Sequence, residues 1–360
     1  MKKFYYVELL RFFSAFSVLI YHYQHFFKPY STVSTIDIVD NKLIQPFYSF
    51  LKILYHYGNY GVPMFWAISG FVFAFVYLNR EKNINGKKFF VNRFSRLYPL
   101  HFATLLIVTL LQIVNYNSAG GFQIYQMNDL YHFFLHIFFI SGWGLETAYS
   151  FNAPIWSVSI ELIIYILFFF SIIYLNKYKI KFVLFLYLMF LIIDKSGLID
   201  YEGGSERLWN ISVALNLLLD CGRLFFSGIF IFYLYEIIKN KLYLILISLL
   251  LIFLSCIGNF KIFLFFPAVL LLFVALEIFI HDKFKNTFEF FGNLTYAMYL
   301  LHIPTQLLII FVISYFRILS EIYISNYFFI FYVLLMILLS LLCFTFFEKP
   351  LFNKIRSRFS

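Results

Sequence analysis

Arg11 and His22 stand eleven residues apart inside one apolar run, Phe4 to Phe27. At about 100° per residue they return almost to the same helix face, and at about 1.5 Å rise they lie roughly 16 Å apart. A guanidinium and an imidazole on one stripe of an apolar helix are expensive, so such residues usually face a cavity or a partner and mark function. Histidine exchanges protons near neutral pH, whereas arginine stays cationic and grips phosphate or carboxylate in a fork. One helix face therefore offers a base and an anion anchor at different depths. Glu8, three residues before Arg11, can pair with it. The plainer alternative has Arg11 snorkelling to the headgroups and His22 bonding a neighbouring helix.

Further along, Arg93 and Arg96 are three apart at the mouth of an apolar segment, where they can converge on one anion carrying several phosphates. Setting topology and binding anionic lipid is the competing role for this basic loop. The run Pro154 to Glu161 places Glu161 about six residues, roughly 9 Å, inside the outer end of its span. His22 lies at a similar depth, so the two are expected to meet, the carboxylate orienting the imidazole. Pairing of Glu161 with Arg223, or capping by hydroxyls, is the alternative. The segment Gly292 to His302 brings His302 near mid-membrane, three residues after Tyr299. Gly61, Ser69 and Gly70 suit close helix approach or a pocket wall, with packing favoured. Asp220 and Arg223 can pair with each other at i, i+3.

The elements that must position these groups are membrane helices. The chain is 62% hydrophobic, with apolar runs recurring to its C-terminus. Each is long enough to span a bilayer, which leaves little room for a soluble domain. The reading is an all-α, polytopic membrane helix bundle forming a single domain over 1–360. About ten transmembrane helices are expected, at roughly 6–27, 59–79, 97–116, 155–176, 180–198, 212–238, 242–258, 262–280, 293–316 and 325–347. With that count, the basic clusters all fall on one side: Lys2 and Lys3, Arg80 to Arg96, Lys177 to Lys181, Lys239 and Lys241, Lys283 and Lys285, and the tail from Lys349. By the positive-inside rule both termini are cytoplasmic. The apolar segment 130–141 is too short to span comfortably and is read as interfacial or re-entrant, within a long outer excursion over 117–154. A second outer loop, 29–58, carries an amphipathic stretch from Phe47 to Tyr57.

The formal charge of +10 lies in short loops, as topology signals do, and does not suggest nucleic acid. Cys221, Cys256 and Cys343 fall in or beside apolar runs, with no disulfide framework and no metal motif. The first segment is expected to be retained, because it carries Arg11, exceeds a signal-peptide core in length and lacks a small-residue cleavage site.

Taken in order, these pieces resemble the acyltransferase 3 family of bacterial integral membrane acyltransferases. Arg11 and His22 resemble its Arg-X10-His motif, and Arg93 with Arg96 its Arg-X-X-Arg motif. Gly61 to Gly70 is similar to the second-helix signature, and Trp156 to Glu161 to Trp-Ser-Leu-Ser-Val-Glu. Thr295 to His302 and Phe347-Glu348-Lys349-Pro350 resemble the two closing motifs. Glu8 and Pro63 depart from the pattern, the first standing where Asp is usual and the second where an acidic residue is common.

The resemblance implies O-acylation, most often acetylation, in the bacterial inner membrane. Acetyl-CoA or another acyl-CoA is the implied co-substrate, with no metal. A hydroxyl of a cell-envelope glycan such as lipopolysaccharide O-antigen, or of a lipid-linked sugar, is the implied acceptor. His22 is then base or nucleophile, Glu161 and His302 are further catalytic candidates, and Arg11, Arg93 and Arg96 are the candidate coenzyme A ligands. A proton-coupled transporter or glycan exporter using His22, Glu161 and His302 as a relay is the competing class, disfavoured by the absence of an obvious internal repeat.

Overall fold

The structure, a computed structural model, describes residues 3–27, 44–78, 84–196, 211–257 and 261–359. Lys28, Lys42, Arg80 and Lys82 of the expected loops lie outside the described residues. Among the described residues there is no strand. The helices are α1 (Tyr5–Tyr21), α2 (Tyr48–Tyr57), α3 (Gly61–Tyr77), α4 (Gly86–Ala119), α5 (Leu130–Ile137), α6 (Trp156–Tyr178) and α7 (Ile180–Lys195). They continue with α8 (Ile211–Ile237), α9 (Lys241–Ile257), α10 (Lys261–Leu276), α11 (Asp282–Tyr315), α12 (Asn326–Cys343) and α13 (Lys349–Phe359).

Among the described residues, seven helical stretches are long and apolar enough to cross a membrane: Tyr48–Tyr77, Gly86–Ser118, Ala153–Tyr178, Ile211–Ile237, Ile262–Phe279, Asp282–Tyr315 and Asn326–Phe359. The other three expected spans fall on α1, α7 and α9, of 17, 16 and 17 residues. At 1.5 Å per residue these reach only about 25 Å, short of a hydrocarbon core of about 30 Å. For α1 the run continues through the turn His22–Phe27, so that segment looks longer in the sequence than the helix is. The segment 130–141 contains the eight-residue α5, about 12 Å long. α2 realises the amphipathic stretch, with Phe50 86% and Ile53 72% exposed.

α1 is held at the centre. Its first free N–H groups, those of Tyr5 and Tyr6, donate to the two carboxylate oxygens of Glu277 at 3.0 Å each. An acid from the end of α10 thus caps the positive end of α1. Gly61 brings α3 against α1, since a Cβ there would collide with the Ser14 carbonyl. α3 crosses α8 just as closely. A Cβ on Gly70 would strike the carbonyl of Phe225, and one on Gly228 that of Ala67. Small residues permit this approach where no hydrophobic force separates helix from lipid. In α8, Arg223 pairs with Asp220 at 2.5 Å, as expected, and with Asp194 of α7 at 3.2 Å.

Candidate active site

Five helices converge on a cavity of about 240 Å³. α1 supplies Arg11, α3 supplies Ser69, α4 supplies Arg93 and Arg96, and α6 supplies Glu161 and Tyr165, while Tyr296 and Tyr299 of α11 close one side. Arg93 and Arg96 both line it because residues three apart share a helix face. α4 begins at Gly86, capped by the Asn85 side chain accepting from the Lys88 amide at 3.2 Å, so both arginines sit on regular helix.

The guanidiniums are only partly satisfied. Arg93 Cζ lies 4.4 Å from the Phe73 ring centroid, and Nη2 donates to the Tyr77 hydroxyl at 3.3 Å. Its Nε is buried, with no partner among the described residues. Arg11 Nη1 donates to Glu8 at 2.9 Å, the pair expected from their spacing. Glu8 fits there because Gly292 of α11 leaves space; a Cβ at 292 would collide with its carboxylate. The charged neighbours of Arg96 are Arg11, Glu348, Arg93 and Glu8. Glu348, in the closing motif, reaches this group from a π-helical turn, Phe344–Glu348, between α12 and α13. Such turns re-aim a side chain that regular helix would carry elsewhere.

Glu161 is buried, held by the hydroxyls of Ser69 and Tyr165, with Arg93 and Arg11 as its charged neighbours. Of the alternatives the sequence offered for Glu161, capping by hydroxyls is the one that forms, and the expected meeting with His22 does not occur. Depth along two helices was legible, but azimuth was not, and Glu161 turns into the arginine cavity. Arg223, the alternative partner, is taken by Asp220 and Asp194.

What His22 meets is His302. Their rings stack at 4.8 Å between centroids, 30° apart. His302 is 1% exposed and lies 6.1 Å, ring to ring, from Tyr299 of the cavity wall. The two histidines therefore form a second layer beyond Tyr299, which is itself fixed by hydrogen bonds to the Pro154 carbonyl and Ser157, both 2.8 Å. His22 Nδ1 lies 3.0 Å from the Val18 carbonyl. A carbonyl only accepts, so Nδ1 carries the proton and Nε2 presents a lone pair. His302 is likewise bonded to main-chain oxygens of Met298 and Tyr299, and its Nε2 is buried without a partner.

His25 is a third imidazole that sequence reasoning missed, its ring 5.0 Å from that of His22. Its signal was the three-residue spacing from His22. The chain leaves α-helix at His22 for a 3₁₀ turn, His22–Phe27, in which residues three apart eclipse. His25 in turn meets Tyr125 at 5.6 Å, and Tyr125 meets Tyr149 at 5.7 Å, leading into the excursion between α4 and α6.

That excursion hides a polar knot. His136 Nε2 lies 3.0 Å from Ser150 Oγ and 3.1 Å from Glu146 Oε1, while Ser150 donates to Glu146 at 2.7 Å. Burial pushes the Glu146 carboxyl up to about 8 and the His136 imidazole well below its ordinary range. This is a neutral hydrogen-bonded pair rather than an ion pair. Asn152 ties the end of the excursion to Thr104 of α4 at 3.0 Å and to the Leu300 carbonyl of α11 at 2.9 Å. Among the described residues, no group of three or more His, Cys, Asp or Glu is placed to hold a metal ion.

The described residues thus form a helical bundle with a cationic cavity at one level and paired imidazoles beyond it. The family model described as an acyltransferase domain matches residues 4–345, and the chain belongs to that acyltransferase 3 family. It is also similar to a protein of Acidianus two-tailed virus whose name proposes an acetyltransferase, with 26% identity over 156 residues. That match covers 43% of this chain and 37% of the viral protein. No solved structure matches the chain.

Proposed function

We propose that this acyltransferase moves an acyl group, acetyl in the first instance, from cytoplasmic acyl-CoA to a hydroxyl of a cell-envelope glycan such as lipopolysaccharide O-antigen. Ten spans in a bacterial inner membrane, with both termini cytoplasmic, complete the proposal. The observation that carries it is the polarity of α1, with Arg11 in a cavity shared with Arg93 and Arg96, and His22 at the far end beside His302. Coenzyme A is a polyanion, and forked guanidiniums suit its phosphates. An extended pantetheine arm of order 15–20 Å matches the roughly 16 Å between Arg11 and His22. Such an arm would bring the thioester past Tyr299 to the imidazoles.

There Nε2 of His22 takes the acceptor hydroxyl proton while the oxygen attacks the thioester carbonyl. The C–S bond breaks, the ester forms, and the thiolate leaves with the proton from His22. The partly buried Tyr125 and Tyr149 beyond His25 support an approach of the acceptor from the outer side.

The test is thiol release from acetyl-CoA by purified protein in lipid nanodiscs, with glycan acceptor present and absent. Acceptor-dependent release, with the glycan gaining one acetyl mass, is expected. Acceptor transport without thiol release would overturn the proposal. Sidedness is checked by single cysteines at Asn85 and Ser118, in a background lacking Cys221, Cys256 and Cys343. An impermeant thiol reagent should label position 118 in intact cells and position 85 only after lysis. Outside labelling at position 85 would remove the cytoplasmic donor route.

A further inference from the structure

Gln306 lies one turn beyond His302 on α11 and is fully buried. Its amide is engaged at both ends by the same short segment of chain. Nε2 donates to the His22 carbonyl at 2.9 Å, and Oε1 lies 3.1 Å from His25 Nδ1. His302 and Gln306, four residues apart, share one helix face. The first meets the His22 ring and the second holds the His22 main chain.

The opposite side of the 3₁₀ turn is anchored separately. Tyr23 and Phe26 are buried against Phe329, Tyr323 and Tyr332, and the Tyr23 hydroxyl donates to the Tyr323 carbonyl at 2.8 Å. The edge bearing His22 and His25 is held by Gln306, whose amide also meets the Tyr332 hydroxyl.

We propose that Gln306 is a positioning residue for the transfer. It clamps the His22–His25 edge so that the His22 ring lies on His302, and it fixes His25 as the Nδ1–H tautomer. An amide suits this task because it donates to a carbonyl and accepts from an imidazole N–H at once; a carboxylate or thioether cannot do both. An amide oxygen facing Nδ1 obliges that nitrogen to carry the proton. In its neutral form His25 then carries its lone pair on Nε2. The inference rests on the reading of His22 as the base, and its test separates the two.

The experiment compares Gln306→Met, Gln306→Glu and His22→Ala in nanodiscs. Three quantities are measured: kcat, the KM for acetyl-CoA, and the histidine tautomers by ¹³C/¹⁵N NMR on labelled protein. Displacing a catalytic group by about 1 Å costs on the order of 10²-fold, so Gln306→Met should lose about that factor in kcat. Its donor KM should stay within about twofold, because Gln306 does not line the arginine cavity. The His25 resonance should lose its Nδ1–H signature. Gln306→Glu keeps the acceptor and loses the donor, so it should retain that signature while still losing turnover.

Near-normal kcat in Gln306→Met, with His22→Ala inactive, would overturn the clamp and leave the base assignment standing. An active His22→Ala would overturn both. Equal losses in kcat and donor affinity with an unchanged His25 tautomer, or failure of both Gln306 variants to fold, would make Gln306 a packing residue and end the proposal.

Discussion

The two ends of α1 solve opposite problems. Around Arg11 the structure keeps charge unspent. Arg93 Nε has no partner among the described residues, and Arg96 faces two other arginines, with Glu8, Glu161 and Glu348 as distributed counter-charges. Around His22 the structure leaves little free. His22, His25 and His302 each have one side of the ring tied to a main-chain or amide oxygen. An anion site gains from cations whose desolvation is offset only when the ligand arrives. A proton-transfer site gains from fixed tautomers and fixed orientation. Conversely, binding and chemistry should be separable by mutation.

The sharpest break in that contrast comes from His22→Ala, which should lower kcat by about 10³-fold with membrane insertion and acetyl-CoA affinity intact. Near-normal acylation would refute the base. His302→Ala is the companion; if it alone abolishes turnover, the two imidazoles exchange roles. At the other end, Arg96→Ala should raise the KM for acetyl-CoA by about 10- to 100-fold, as for loss of a charge-assisted contact. Its kcat should change little, because a remote phosphate contact is shared by ground and transition states. Lysine should substitute poorly if the contact is forked. A collapse of kcat at constant KM would place Arg96 with the chemistry instead.

Glu161→Gln sharpens the comparison further. Glu161 lies among the arginines and not beside His22, so the change should move donor KM by less than about tenfold and leave the pH profile of kcat unaltered. A shifted profile would restore the carboxylate–imidazole pair that the sequence suggested.

The smallest effect is expected in stability, away from both ends. Glu146 has its folded pKa raised to about 8 from an ordinary carboxylate value. The folded state therefore holds a proton that the unfolded chain has released, and stability declines as pH rises toward 8. His136 is displaced downward, so its contribution runs the other way, but only below the ordinary histidine range near 6.5. Above about pH 6.5 His136 no longer opposes the Glu146 slope. Glu146→Gln should flatten it, as read by melting temperature in detergent across that range. An unchanged slope would assign it to other groups.

Periodicity and residue chemistry carried much of this protein. Apolar runs announced a helical membrane bundle because a bilayer accepts little else, and the i, i+3 pairs Glu8–Arg11 and Asp220–Arg223 formed as their spacing required. The ordered motifs pointed to the acyltransferase family, and the glycines at 61 and 70 to close helix approach. Helix length was less legible at α1, where the run continues through the 3₁₀ turn beyond the helix. Azimuth between separate helices was not legible at all. That is why Glu161 faces Arg93 and Arg11 rather than His22, why Glu277 caps α1 from the end of α10, and why Glu348 enters the arginine cluster from a π turn. The third imidazole and the amide that binds it waited on the 3₁₀ turn at His22, a local change of helical pitch set by burial of Tyr23 and Phe26 against the 323–332 segment. Sequence fixes which groups share a helix face; only packing decides which faces meet.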